Sequence, residues 1–164
     1  MKENFIPSIS VIWTNRLQTI KESTEDLIIF LKRLKRFDNR LGVWYERANN
    51  RKEGMKNRVV LDYDYIKKSL CKKCEDGDYP PEFTFLTGFW NGAQTDPLSY
   101  GIRFSLGGDA KIGTNNCVLT FPYEGEIYES YCVRENWEKL MELFIDHWQP
   151  EQYRDFDNQL VKLL

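Results

Sequence analysis

Apolar residues change their spacing several times along the chain, and each spacing predicts an element of secondary structure. Between about residues 5 and 13 they alternate with other residues, at Ile9, Val11 and Trp13, which is typical of a strand with one buried face. Helical spacing follows at Leu27, Phe30, Leu31, Leu34 and Phe37. The segment Ser23-Thr24-Glu25-Asp26 resembles a capping box, whose side-chain oxygens accept hydrogen bonds from the free N–H groups at a helix start. We therefore expect the first helix to begin near this segment.

The second half of the chain alternates between helix and strand patterns. A short helix is predicted near 62–74, and three strands are predicted at about 83–90, 101–106 and 117–121. Asn91-Gly92 is predicted to form a turn between the first two of these strands. Residues 123–131 are predicted to be an acidic loop, and an amphipathic helix follows over 137–148. The tail, 152–164, is predicted to be one short element or a frayed end.

The order of these elements predicts an α+β fold. The three consecutive strands have short connections, so we expect them to be antiparallel. The chain has 164 residues, a length at which one domain buries about two-thirds of its unfolded surface. We expect a single domain over 1–164, built from an antiparallel sheet of about four strands with helices packed on one face.

The sequence predicts a cytoplasmic protein with reduced cysteines. No apolar run approaches the ~20 residues of a membrane span, and MKENFIPSIS lacks the continuous apolar core of a signal peptide. Cys71, Cys74, Cys117 and Cys132 are then expected to be structural thiols. The CKKC pair at 71–74 leaves a metal or redox role open, although His147 is the only histidine available as a further ligand. We expect no metal and no cofactor.

Sequence motifs for enzymatic chemistry are absent. The chain has no GxGxxG, P-loop or GxSxG motif, and one histidine cannot form HExxH. A Cys–His nucleophile pair that includes His147 stays open, but nothing nearby in the sequence activates it. The acidic clusters 75–78 and 124–129 lie on predicted loops, whereas metal-dependent and glycosidic chemistry holds carboxylates on rigid elements. We therefore predict that the protein is not an enzyme and has no catalytic residue.

Charge is distributed unevenly along the chain. Residues 1–60 contain 13 Lys and Arg against 7 Asp and Glu, whereas residues 61–164 contain 10 against 18. One hypothesis is a small nucleic-acid-binding or regulatory domain, in which basic residues contact phosphates and Trp44 and Tyr45 stack on bases. Its basic residues would be Lys32, Arg33, Lys35, Arg36, Arg40 and Arg47. A sequence pI of about 5.6 and the acidic second half argue against it.

Five motifs occur in a characteristic order along the chain. They are IWTNR (12–16), WYERANNRKEG (44–54), FWNG (89–92), NCVLTFP (116–122) and HWQPEQ (147–152). In this order and spacing, over about residues 8–152, the chain resembles the immunity protein 52 family of bacterial polymorphic toxin systems. Trp13-Thr14-Asn15 stands where that family often has tryptophan, glycine and proline.

The resemblance implies a non-enzymatic protein that binds a cognate toxin and blocks its activity. It further implies a toxin with a restriction-endonuclease-like nuclease domain, delivered by type VI or related contact-dependent secretion. The lack of a membrane-length apolar run predicts no membrane partner. Because the motifs mark the family rather than one toxin, we predict structural roles for their main residues, with ion pairs at Arg51 and Glu53. These residues are Trp44, Tyr45, Arg51, Glu53, Trp90, Asn91, Gly92 and Trp148.

Toxin contact is predicted on the acidic half of the chain instead. A nuclease presents a basic cleft to DNA, and an acidic inhibitor surface gains association rate and selectivity against such a cleft. High affinity also needs aromatic anchors that lose their water on binding. We therefore predict contact at two acidic segments and along the outer face of the last helix. The predicted contact residues are Glu75, Asp76, Asp78, Tyr79, Tyr123, Glu124, Glu126, Tyr128 and Glu129.

Overall fold

The part of the chain that the structure describes forms one antiparallel sheet and five helices. The computed structural model describes residues 8–71, 84–109 and 114–163. The strands are β1 (Ile9–Trp13), β2 (Tyr45–Glu46), β3 (Phe85–Trp90), β4 (Gly101–Leu106), β5 (Asn115–Thr120), β6 (Gln152–Arg154) and β7 (Leu160–Lys162). The helices are α1 (Ile20–Phe37), α2 (Arg51–Gly54), α3 (Tyr63–Leu70), α4 (Glu126–Tyr131) and α5 (Arg134–Trp148), with 3-10 turns at Asn39–Leu41 and Asp96–Leu98.

The seven strands are ordered β2-β3-β4-β5-β1-β6-β7, and every neighbouring pair is antiparallel. The predicted α+β class with an antiparallel sheet is therefore confirmed, but the prediction of about four strands is wrong. The additional strands β2, β6 and β7 have only two or three residues each, too few to show a period in the sequence. The tail is a hairpin whose Tyr153 pairs with Val11, so it extends the sheet beyond β1.

The core lies between one face of the sheet and the long helices. Alternate residues of β1 and β5 are buried, as the sequence pattern predicts, whereas every residue of β4 except Arg103 is buried. The apolar residues of these strands join the apolar faces of α1, α3 and α5 in one cluster. Trp13 and Trp148 stack at its centre, with ring centroids 5.3 Å apart and planes at 16°. Burying aromatic side chains of this size contributes a large share of the free energy of folding.

Helix α1 begins before the predicted capping segment. Thr19 is the N-cap: its Oγ1 accepts the Glu22 N–H at 3.1 Å, while Glu22 Oε1 accepts the Thr19 N–H at 3.1 Å. Ser23 and Thr24 lie fully buried inside the helix, and Thr24 Oγ1 donates to the Ile20 carbonyl at 2.6 Å. The predicted cap at 23–26 is therefore wrong, because the same sequence pattern occurs one turn earlier and those side chains face the core.

The opposite face of the sheet carries smaller and more polar residues. Gly88 and Arg103 pair across β3 and β4 on this face, next to the pair Trp90 and Gly101. Leu86 is 64% exposed here. Helix α2 contacts this face through Gly54, where an added Cβ would lie 3.0 Å from the Trp90 ring.

The described cysteines differ in burial and in whether they form a disulfide bond. Cys117 is buried in β5 and Cys132 is exposed after α4, and both are free thiols. Cys71 is disulfide-bonded, and its partner lies outside the described residues. The expectation of a reduced thiol is therefore wrong for Cys71. No group of residues within 8–71, 84–109 and 114–163 has the composition of a metal site, and no helix in these ranges is long and apolar enough to span a membrane.

Candidate functional site

The tryptophan and tyrosine of the motif at 44–54 belong to the framework. Trp44 is buried on the core side, and its Nε1 donates to the Leu41 carbonyl at 3.0 Å. Tyr45 points to the opposite face of the sheet, where its ring lies 6.4 Å from that of Trp90. The extended backbone at the start of β2 thus directs these two adjacent aromatic side chains to opposite faces of the sheet. Trp44 fills part of the core, and Tyr45 does not.

The charged part of the same motif forms helix α2. Asn50 is its N-cap and accepts the Glu53 N–H at 2.9 Å, and Glu53 forms an ion pair with Lys56 at 3.1 Å. The predicted ion pair at Glu53 is therefore present. Arg51 forms no ion pair with any residue of the described part of the chain.

Asn91 and Gly92 begin a longer loop rather than a two-residue turn. The Asn91 side chain donates to the Leu98 carbonyl and accepts the Tyr100 N–H, both at 3.1 Å, so it closes the loop at its base. Gly92 has φ +79°, and an added Cβ would lie 2.8 Å from the Tyr45 ring. Glycine is required here because both the backbone conformation and the aromatic neighbour exclude a side chain.

The motifs at 12–16 and 147–152 contact each other. Arg16 donates to the carbonyls of Trp148 and Gln149 at the C-terminal end of α5, the latter at 2.7 Å. The Thr14 hydroxyl donates to the Glu151 carboxylate at 2.8 Å. These bonds satisfy helix-end carbonyls and link β1 to α5, which is a structural role.

A cavity of about 580 Å³ opens beside the 91–100 loop on the face of the sheet opposite the core. We call it the arginine pocket. Its lining residues are Arg47, Ala48, Asn50, Arg51, Trp90, Ala93, Gln94, Thr95, Asp96, Ser99, Tyr100, Gly101, Arg103 and Thr120. Three arginines thus meet a single carboxylate in a concave site of the size that binds small ligands.

Arg47 lies across the glycines of β3 and β4. An added Cβ at Gly101 would lie 2.5 Å from Arg47 Nη2, and one at Gly88 would lie 3.6 Å from Arg47 Nε and 3.5 Å from Arg103 Cγ. Burial, together with the positive charge of Arg103, lowers the pKa of Arg47. The sequence reasoning grouped Arg47 with the basic first helix and did not single out Arg103. The sequence did contain one sign of this site. Gly88 and Gly101 lie on the same face of the predicted strands as Arg103, and they leave space for a long side chain.

The basic residues of the first helix do not form one free surface with Arg40 and Arg47. Arg33 forms an ion pair with Asp146 at 2.5 Å, and Arg40 forms one with Asp38 at 2.8 Å. Arg47 lies on the other face of the sheet. Lys32, Lys35 and Arg36 remain exposed on α1.

The second acidic segment is largely helical. Glu126, Tyr128 and Glu129 lie on α4, so the predicted loop at 123–131 is wrong beyond residue 125. Tyr123 and Glu124 precede the helix, and both of their N–H groups donate to the Pro97 carbonyl, at 2.8 and 3.1 Å. Tyr123 is 66% exposed, and nearby Leu98 is 39% exposed. We call Tyr123, Glu124, Glu126, Tyr128 and Glu129 the acidic ridge.

The three carboxylates of the acidic ridge form no ion pair with a described residue. On the outer face of α5, by contrast, Glu135 pairs with Lys139 at 3.2 Å and Glu138 with Arg134 at 3.7 Å, although Glu142 has no ion pair with a described residue. The other predicted contacts, Glu75, Asp76, Asp78 and Tyr79, lie outside the described residues.

Comparison with known proteins does not assign the chain to a family. No family model matches the sequence, and no curated protein matches it. The resemblance to the immunity protein 52 family therefore rests on the motifs alone and stays a prediction.

Proposed function

We propose that this protein is an immunity protein that binds a bacterial toxin and blocks it without catalysing a reaction. The observation that carries the proposal is the acidic ridge, where three exposed carboxylates have no ion pair within the described residues. They lie beside the exposed Tyr123 and the partly buried Tyr128 in the sequence. Within the described residues, the family motifs are mostly occupied in holding the sheet and helices together. The backbone of the ridge is bonded to the fold, but its carboxylate groups have no partner among the described residues, which supports their use in recognition.

The chemistry of the ridge matches a basic protein partner. A nuclease toxin must hold negatively charged nucleic acid, so the cleft that an inhibitor occludes is basic. Carboxylates facing that cleft raise the association rate and disfavour other partners. Tyr123 and Leu98 supply an apolar centre that loses its water on contact, while Glu124 and Glu126 form a polar rim. We infer that the ridge covers the toxin's active site or substrate cleft.

The decisive experiment uses the nuclease domain that we expect to be encoded beside this gene. The domain is expressed in cells with and without the protein, and association and dissociation rates are measured with purified components at low and physiological salt. Protection of the cells and a stable complex are expected. A toxin domain that neither binds the protein nor is neutralised by it would refute the proposal.

Two substitutions assign the contact surface. Reversing two charges in Glu124→Lys/Glu126→Lys should slow association about tenfold at low salt. Tyr123→Ala should speed dissociation about tenfold, because an aromatic anchor contributes more than about 1.4 kcal/mol. Glu25→Lys on α1 and Tyr63→Ala on α3 are matched controls, since both residues are exposed. If protection persists and the ridge variants behave like the controls, another surface contacts the toxin.

The nucleic-acid-binding alternative makes the opposite prediction. It requires that the purified protein alone bind single-stranded or duplex DNA at physiological salt, through basic residues on α1. Because Arg33 and Arg40 are engaged in ion pairs and Arg47 lies elsewhere, the free charges on α1 are few. We expect no such binding, and its detection would favour the alternative.

A further inference from the structure

The arginine pocket holds positive charge that neither the fold nor the proposed function uses. Arg47, Arg51 and Arg103 line it together with one carboxylate, Asp96. None of these three arginines has an ion pair or a side-chain hydrogen bond to another residue in 8–71, 84–109 or 114–163. Other arginines of the chain, such as Arg33 and Arg134, are paired with carboxylates.

Gly88 and Gly101 create the space in which Arg47 lies. Both face away from the core in adjacent strands, and a Cβ at Gly101 would lie only 2.5 Å from the guanidinium group. The Arg103 side chain lies on the same face of the sheet, close to that of Arg47. Arg103 Cγ and Arg47 Nε both lie within 3.6 Å of the position that a Cβ at Gly88 would occupy. The sheet register therefore brings together two arginines that are far apart in sequence.

Arg47 and Arg103 lie near each other, and their like charges repel although both residues are partly open to water. Burial and Arg103 lower the pKa of Arg47, which means that the surroundings disfavour its charged form. An oxyanion bound by both groups would remove this repulsion and replace the lost water with charge-assisted hydrogen bonds. The planar guanidinium fork fits two oxygens of one phosphate or carboxylate group.

We propose that the arginine pocket binds a small molecule that carries a phosphate monoester, with Arg47 and Arg103 holding the phosphate group. Two adjacent cations match a dianion better than a single carboxylate. The cavity of about 580 Å³ is much larger than a phosphate ion, so it has room for the rest of the molecule. Asn50, Gln94 and Ser99 line it and supply polar groups that can orient that remainder. This inference does not depend on the proposed immunity function.

Calorimetric titration of the full chain with AMP tests the proposal, with adenosine as the ligand that lacks the phosphate. AMP should bind saturably at low ionic strength and adenosine should not. Arg47→Gln and Arg103→Gln should each weaken AMP binding about tenfold, since each removes a charge-assisted bidentate contact. Arg36→Gln is the matched control, because Arg36 is an exposed arginine on α1 without an ion pair in the described chain. It should bind AMP as the original protein does.

Circular dichroism melts establish that each variant is folded, and the two substitutions are tested separately so that either one suffices. Gly101→Ala adds a third test, because its methyl group should displace the Arg47 guanidinium and weaken AMP binding. The proposal is overturned if AMP does not saturate the protein below about 10 mM, or if adenosine binds equally. It is also overturned if Arg36→Gln weakens binding as much as Arg47→Gln does. Tighter binding of citrate than of AMP would identify a carboxylate site instead. Binding of an oligonucleotide through these arginines, with none of AMP, would identify a nucleic-acid contact.

Discussion

Asp38 links the end of α1 to α4, and its removal provides a quantitative test of the structure. Its carboxylate accepts the Tyr131 hydroxyl at 2.7 Å, the Arg40 N–H at 3.0 Å and the Arg40 guanidinium at 2.8 Å. Tyr131 is only 4% exposed, so its hydroxyl cannot easily find water if the carboxylate is lost. Asp38 is also the N-cap of the 3-10 helix Asn39–Leu41. A hydrogen bond to a charged group contributes about 1.5–3 kcal/mol, and a lost N-cap costs about 1 kcal/mol. Asp38→Ala should therefore lower the free energy of unfolding by about 3 kcal/mol.

A double-mutant cycle isolates the contact between Asp38 and Tyr131. Tyr131→Phe removes the hydroxyl but leaves Asp38 bound to Arg40, so it should cost about 1–2 kcal/mol. In the double variant no buried hydroxyl is left unpaired, and its cost should be about 1–2 kcal/mol less than the sum of the single costs. Urea unfolding with linear extrapolation measures each value. Tyr123→Phe on the exposed ridge is the control and should change stability by less than about 0.5 kcal/mol. Costs that add within about 0.5 kcal/mol would refute this account of the contact.

The shifted pKa of Asp38 predicts that the stability of the protein depends on pH in the acid range. Burial acts to raise the pKa of Asp38, but the hydrogen bonds from Arg40 and Tyr131 outweigh it and leave the pKa below its usual 3.8. The unfolded chain then binds the proton more readily than the folded chain does. The stabilisation is present above the unfolded pKa and is lost as the pH falls through the folded value. Asp38→Ala should therefore flatten the acid limb of the stability curve below about pH 4.

Three further predictions test other contacts. Burial and the charge of Arg33 lower the pKa of His147 from 6.5, so the free energy of unfolding should fall as the pH drops below about 6.5. His147→Gln should reduce that fall. Urea midpoints at several pH values measure the effect, and the same pH dependence in the variant and the original protein would contradict it. Gly92→Ala should lower the free energy of unfolding by about 1–3 kcal/mol, because its φ of +79° and the Tyr45 ring exclude a Cβ; a neutral effect in urea unfolding would show that the loop adjusts. Arg16→Ala should cost about 1–3 kcal/mol through its bonds to the end of α5, whereas Lys32→Ala should have almost no effect, and equal thermal shifts would refute the role of Arg16.

The sequence by itself determined the long elements. Helices α1 and α5 and strands β1, β4 and β5 each repeat an apolar period over several residues, so burial of one face is encoded locally. The α+β class and the antiparallel pairing of β3, β4 and β5 follow from their order and short connections. The acidic and aromatic composition of the ridge is also visible in the sequence.

The short elements could not be predicted, because a period needs more residues than they contain. Strand β2 has two residues, and α4 has only Ile127 and Tyr131 directed into the core. The start of α1 shows a different limit. Thr19 and Ser23 both head a pattern that suits a cap, and only the packing of Ser23 inside the fold excludes the second.

Only the tertiary structure decided the arginine pocket. Arg47 and Arg51 come from one segment and Arg103 from β4, about fifty residues later, and no local pattern relates them. The register pairs Gly88 with Arg103 and Trp90 with Gly101. It therefore places the two glycines under the Arg47 side chain and Arg103 beside them. Local periodicity fixes which face of each strand is buried. The pairing of distant strands fixes which charges meet on the other face, because a shift of one residue would turn Arg103 into the core.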